Sequence, residues 1–229
     1  MITQEKLLLP LILIGSGLFV FLIQILLFFV FTRGKEGKRE SLRNTFGYEY
    51  YRVMKLNRRV FLYVLSAISV LFLGTGAGIF LSFFQSSYAV STGISFSLAL
   101  ILLTLATLIP LPNYKLHIFT AFSGLGFLGL SGILYSFATI LPDVILFKNY
   151  FYIPLEVIFG LVGLLSLVSL FNPKLTSFYK MNRAEVNGTV YYEKPKVNSL
   201  ALTEWFGYYS VYFLGALLLL QIVVIWLSL

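Results

Sequence analysis

The chain has 229 residues, of which 59% are hydrophobic and only 11% charged, with a net charge of +8. An ordinary soluble domain is about 25% charged, so most of this surface faces lipid. No cysteine and a single histidine exclude disulfides, thiol chemistry and cysteine- or multi-histidine-ligated metals, and no cofactor is expected.

Six apolar runs follow in chain order: residues 8–31, 60–84, 93–109, 116–140, 152–171 and 202–227. Each is long enough for the roughly 30 Å hydrocarbon core, which takes about 20 helical residues. The third is the shortest and the weakest of the six. Lipid satisfies no backbone hydrogen bonds, so the runs are helical. The expected fold is therefore all-α: one domain, residues 1–229, a polytopic membrane bundle of six transmembrane helices. The first run exceeds the apolar length of a cleavable signal peptide and lacks a small-residue cleavage site before Arg33, so it reads as a retained helix.

The connections set the orientation. Residues 33–59 carry nine Lys and Arg, residues 172–199 carry five, and Lys115 lies in the short turn before the fourth run. Only Lys6 and Lys148 fall on the other side, a split of 15 to 2. Basic residues stay cytoplasmic. The loops 33–59 and 172–199 are thus expected in the cytoplasm and both termini outside it. The same bias explains the net charge without nucleic acid. Within the first loop, residues 40–56 mix Leu42, Phe46, Tyr48, Tyr51 and Met54 with arginines. That mixture fits a helix lying among lipid headgroups or a plain basic loop that fixes topology. In the second loop, Asn187-Gly188 between β-prone stretches predicts a two-residue hairpin. Asn187-Gly188-Thr189 matches a glycosylation sequon, but on the cytoplasmic side that match is chance.

Ionisable groups inside apolar runs are costly and mark candidate sites. There are three: His117, Glu156 and Glu204. His117 and Glu204 each open a run that starts at the cytoplasmic face, so they lie at matching depth and can meet. Such a pair can be a structural tie, a headgroup clamp or an acid–base couple. Glu156 follows Pro154 near the outer end of the fifth run, where it can snorkel to water. Gly124, Gly126, Gly129 and Gly132 in the fourth run, and Gly74, Gly76 and Gly78 in the second, predict close packing and a central place for both helices.

His117-Ile118-Phe119-Thr120-Ala121, then Phe127 and Tyr135, together with Glu204-Trp205, resemble the fourth and sixth helices of the DRAM-type family, the damage-regulated autophagy modulators, and similar small bacterial proteins. The resemblance covers roughly residues 95–225. It implies a lipid-linked or membrane-organising role, with His117, Glu204 and Trp205 as its site, and identifies no reaction. The basic stretch 33–59 departs from the family's pattern, which has a non-cytoplasmic loop there.

No paired-carboxylate motif, nucleophile elbow or phosphate loop is present. The leading expectation is a protein that binds or senses membrane lipid at its cytoplasmic face. The alternatives are an intramembrane lipid-modifying enzyme using the same pair, or a small transporter or membrane subunit of a larger complex.

Overall fold

A computed structural model describes residues 3–32, 45–84, 86–109, 113–140, 152–171, 182–186, 189–193 and 199–229. The helices are α1 (Gln4–Thr32), α2 (Gly47–Val53), α3 (Leu56–Ser82), α4 (Ser87–Leu108), α5 (Tyr114–Ile140), α6 (Tyr152–Leu170) and α7 (Ser199–Ser228). Five of them, α1, α3, α4, α5 and α7, are long and apolar enough to cross a membrane. The weak helix is not the one the sequence marks. The third run becomes the full-length α4, whereas the apolar part of α6 is only Pro154–Leu170.

These helices are apolar nearly all round, as lipid-immersed helices must be, so packing selects the buried stripe. In α1 the buried residues are Leu7, Pro10, Ile14, Gly17, Phe21, Gln24 and Phe28. Their spacing alternates three and four, the heptad seam of left-handed helix pairs. In α3 the matching stripe runs through Leu62, Ser66, Ser69, Leu73, Gly76 and Phe80. The two seams meet antiparallel. A Cβ on Gly17 would stand 2.8 Å from the Leu73 nitrogen, and one on Gly76 would stand 2.7 Å from Ile14 Cγ1. Ser69 Oγ donates to the Gly17 carbonyl at 2.8 Å. Small residues here let two backbones approach as membrane helices require.

Contacts between successive long helices show alternating directions. Gly74 faces Ser97, and Gly93 faces Gly78. Gly124 meets Leu103, and Gly132 meets Phe159 and Gly163. The C-terminal ends of α1, α4 and α6 therefore lie at one end of the bundle with the N-terminal ends of α3, α5 and α7, and the remaining helix ends lie at the other. The first of these is the basic end: exposed Lys55, Arg58 and Lys115 lie there. The other end brings the Gln4 amide to the Trp226 carbonyl at 3.1 Å.

The glycine-rich helices are not equally central. The most buried long helices are α4 and α7, with α5 close behind and α3 clearly less so. α7 contacts α1, α3, α4, α5 and α6. β1 (Asn182–Val186) and β2 (Thr189–Glu193) pair antiparallel, with Val186 opposite Thr189. This is the ribbon that Asn187-Gly188 predicts, although those two residues lie outside the described ones. So do residues 33–44, the connection 141–151 and residues 172–181.

Residues 45–54 pack against the helices rather than standing away from them. Thr45, Phe46, Tyr51 and Met54 are buried in the bundle. Gly47 begins α2 directly against α4, where a Cβ would come within 2.8 Å of Thr107 Cβ. The Glu49 carboxylate accepts the Phe46 amide at 3.0 Å and fixes the start of this one-turn-plus helix. Of the two readings open for residues 40–56, a headgroup-layer helix or a plain basic loop, the described part 45–54 matches neither: it is a segment tucked into the end of the bundle.

Candidate functional site

α4 ends at Leu108 because Ile109 turns to an extended conformation, φ −77 and ψ 122. That leaves the Ile109 carbonyl without a helical partner. The chain re-enters the bundle at once, and the first turn of α5 presents His117 to that carbonyl. Nδ1 lies 2.9 Å from it. A carbonyl can only accept, so Nδ1 carries a proton, and Nε2 is left facing Glu204 Oε2 at 3.0 Å. Neither side chain is exposed.

The tautomer restricts the pair. If Glu204 is ionised, Nε2 carries a proton and the two form an ion pair. If His117 is neutral, Glu204 must be the donor. In both cases one proton lies between them and the pair as a whole is neutral, the condition under which such groups tolerate burial. The Phe46 ring covers the imidazole edge-on, with centroids 5.4 Å apart. Phe46, Leu200 and Ala201 form a small apolar cluster there, flanked by Ile118 and Phe122. The 3.0 Å approach of Nε2 to Oε2 is a close contact without the alignment of an ordinary hydrogen bond, Glu204 Oε1 likewise lacks one, and the Gly47 backbone amide lies beside the carboxylate.

Trp205, the next residue, secures the same segment from another side. Its indole Nε1–H donates to the Thr45 carbonyl at 2.8 Å. It stacks on Tyr209 and meets Phe28 and Tyr208 edge-on. His117, Glu204 and Trp205 therefore converge on residues 45–47, and the three positions singled out in the sequence belong to one assembly.

Glu156 does not join it. α6 runs antiparallel to α5, and Ser136 Oγ donates to the Glu156 carbonyl at 3.2 Å, which puts Glu156 toward the opposite end. Nor does Glu156 snorkel: it is buried near the start of α6. Tyr135, whose hydroxyl donates to Gln221 Oε1, stacks on Phe159 in the same region.

A second group of polar residues was not legible as ionisable. Gln24, in the middle of α1, donates from Nε2 to Tyr208 at 3.2 Å and to Tyr51 at 3.4 Å. Tyr212 lies among Ser69, Thr104 and Tyr208. Glu204, Tyr208 and Tyr212 are spaced by four on α7 and share one helix face. The available signal was a lone amide inside an apolar helix, since uncharged polar groups at membrane depth also need partners. Burial pushes the Tyr51 phenol up to about 12, against smaller opposing effects from Gln24 and Ser66, so it stays a neutral hydroxyl.

Chemically the pair is closed. A proton-transfer catalyst must reach its substrate, yet Nδ1 is committed to Ile109, Nε2 faces Glu204, and Phe46 covers the ring. The cavity beside α2 is lined by neither residue. Among the described residues no group of three or more metal-ligating side chains occurs. Compared with known family models, curated proteins and solved structures, the chain matches none.

Proposed function

We propose that this is a non-catalytic six-span membrane protein that binds anionic lipid headgroups at its basic, cytoplasmic end. The enclosed His117–Glu204 pair carries the reading. It ties α5 to α7 and holds the 45–54 segment, which leads directly into Lys55, Arg58 and Arg59. A fixed segment gives those cations a fixed place at the membrane boundary. The Arg58 guanidinium lies 5.0 Å from the centre of the Phe31 ring, and Lys55 and Lys115 are exposed at the same end. Each Lys or Arg near an anionic surface contributes about 1 kcal/mol of attraction.

In this reading α6 crosses the membrane with the other five long helices. The 15-to-2 charge split supports both termini outside the cytoplasm. The likeness of His117 and Glu204-Trp205 to the DRAM-type pattern supports the same membrane-organising role, because these residues act on one segment.

Native mass spectrometry of the purified protein with copurified lipid tests the proposal. Wild type should retain anionic phospholipid in preference to phosphatidylcholine, and Lys55→Ala/Arg58→Ala/Lys115→Ala should lose that preference while staying folded. Equal retention of neutral and anionic lipid by wild type would end it.

A further inference from the structure

Under α2, between α1 and α7, lies a cavity of ≈ 20 Å³. Gln24, Phe28, Tyr51, Thr107, Trp205 and Tyr208 line it, and half-buried Ile25 and Tyr209 form its rim. Gln24 is only 3% exposed. Its Nε2 is used twice, on Tyr51 and Tyr208, but its Oε1 has no hydrogen-bond partner in the protein.

A bare amide oxygen is costly inside a membrane protein, where lipid offers no donor. Turning the amide over does not remove the problem. Oε1 would then accept from the two tyrosines, and the two N–H groups would be left without acceptors. The first setting needs a donor on the vacant side and the second an acceptor, and a hydroxyl, which can do either, serves both. The lining contains no charged side chain, so neither a cation nor an anion finds a counter-charge. The space suits one oxygen atom, because a cavity needs roughly 10–15 Å³ to admit a water.

We propose that this cavity is a hydroxyl-binding site anchored by Gln24. Its occupant is a neutral O–H group, supplied either by a trapped water molecule or by the alcohol head of a neutral lipid entering between Ile25 and Tyr209. The site lies inside the bundle beneath the exposed cations of the same end, and it takes a neutral group where they would take negative charge. An occupant completes the joint at which Gln24 links α1 to α2 and α7.

The test uses the full chain in nanodiscs, with dioleoylglycerol and its methyl ether as probes. If a lipid alcohol is the occupant, dioleoylglycerol raises Tm by a few degrees. The ether, which lacks the donor hydrogen and carries a methyl group that the ≈ 20 Å³ space does not admit, does not, and Gln24→Leu abolishes the rise. If water is the occupant, neither probe shifts Tm, but magnetisation passes from water to the Gln24 side-chain amide in ¹⁵N-glutamine-labelled protein. Absence of both signals overturns the proposal, as does a dioleoylglycerol effect that persists in Gln24→Leu. The alcohol-against-ether and water-transfer measurements both run on wild type, so they stand even if the variant fails to fold.

Discussion

His117 Nε2 lies 3.0 Å from Glu204 Oε2, joining α5 to α7 with both side chains fully enclosed. Removing one member leaves the other buried without its partner, a loss of about 3–5 kcal/mol for buried pairs. His117→Ala should therefore lower stability by that order, measured by reversible unfolding in mixed detergent. Replacing both residues with leucine should cost much less than the two single changes summed. Additive losses would show that the two do not act as a unit.

The α5–α6 crossing makes a sharper steric prediction. A Cβ on Gly132 would stand 2.5 Å from the Phe159 carbonyl oxygen and 2.7 Å from Gly163 Cα, both backbone atoms that cannot step aside. Gly126, on the same helix, has nothing within 4 Å of that position. Gly132→Ala should cost about 1–3 kcal/mol by forcing the helices apart. Gly126→Ala should leave thermal stability unchanged or slightly raised. Equal behaviour of the two variants would refute the close crossing.

Tyr51 predicts an alkaline transition. Its folded value, raised to about 12, lies above the ordinary phenol value of 10. The neutral phenol's contribution is therefore fully present below pH 10 and is lost as pH rises through 12, about 2–3 kcal/mol in all. Tm should fall more between pH 9 and pH 11.5 in wild type than in Tyr51→Phe. Parallel pH profiles would show that the phenol ionises without opening the α2 joint.

The absence of native cysteine allows a direct topology experiment. Single cysteines at Ser87, which opens α4, and Asn113, which immediately precedes α5, both exposed and at opposite ends of the bundle, should react oppositely with a membrane-impermeant maleimide in intact cells. Ser87→Cys should be labelled from outside, and Asn113→Cys only after permeabilisation. The reverse pattern would invert the proposed orientation.

Much of this arrangement was readable in the residues. Long apolar runs dictate helices, and His117 and Glu204 stand out because ionisable groups are rare at that depth. Their meeting follows from both opening helices at the same end. Three things were hidden. The tucked course of residues 45–54 depends on Gly47 meeting Thr107 and Trp205 reaching Thr45, tertiary contacts with no local signature. Glu156 reads as a snorkelling residue from its position near a helix end, yet the α5–α6 crossing encloses it. Gln24 escaped notice because it is uncharged, and only the approach of Tyr51 and Tyr208 gives it meaning.

The dependence of the basic end on α7 has a consequence for biosynthesis. Thr45 and Trp205 are 160 residues apart, and Gln24 and Tyr208 are 184 apart. At the usual 5–20 residues per second, Thr45 waits about 8–32 s on the ribosome's clock for its indole donor. During that interval His117 also lacks its carboxylate, and Phe46 has no Leu200 or Ala201 to rest on. α7 is thus the keystone of this end. Any chain released before it inserts presents a bare imidazole and an unseated aromatic segment, the kind of exposed surface by which membrane quality control distinguishes unfinished products from finished ones.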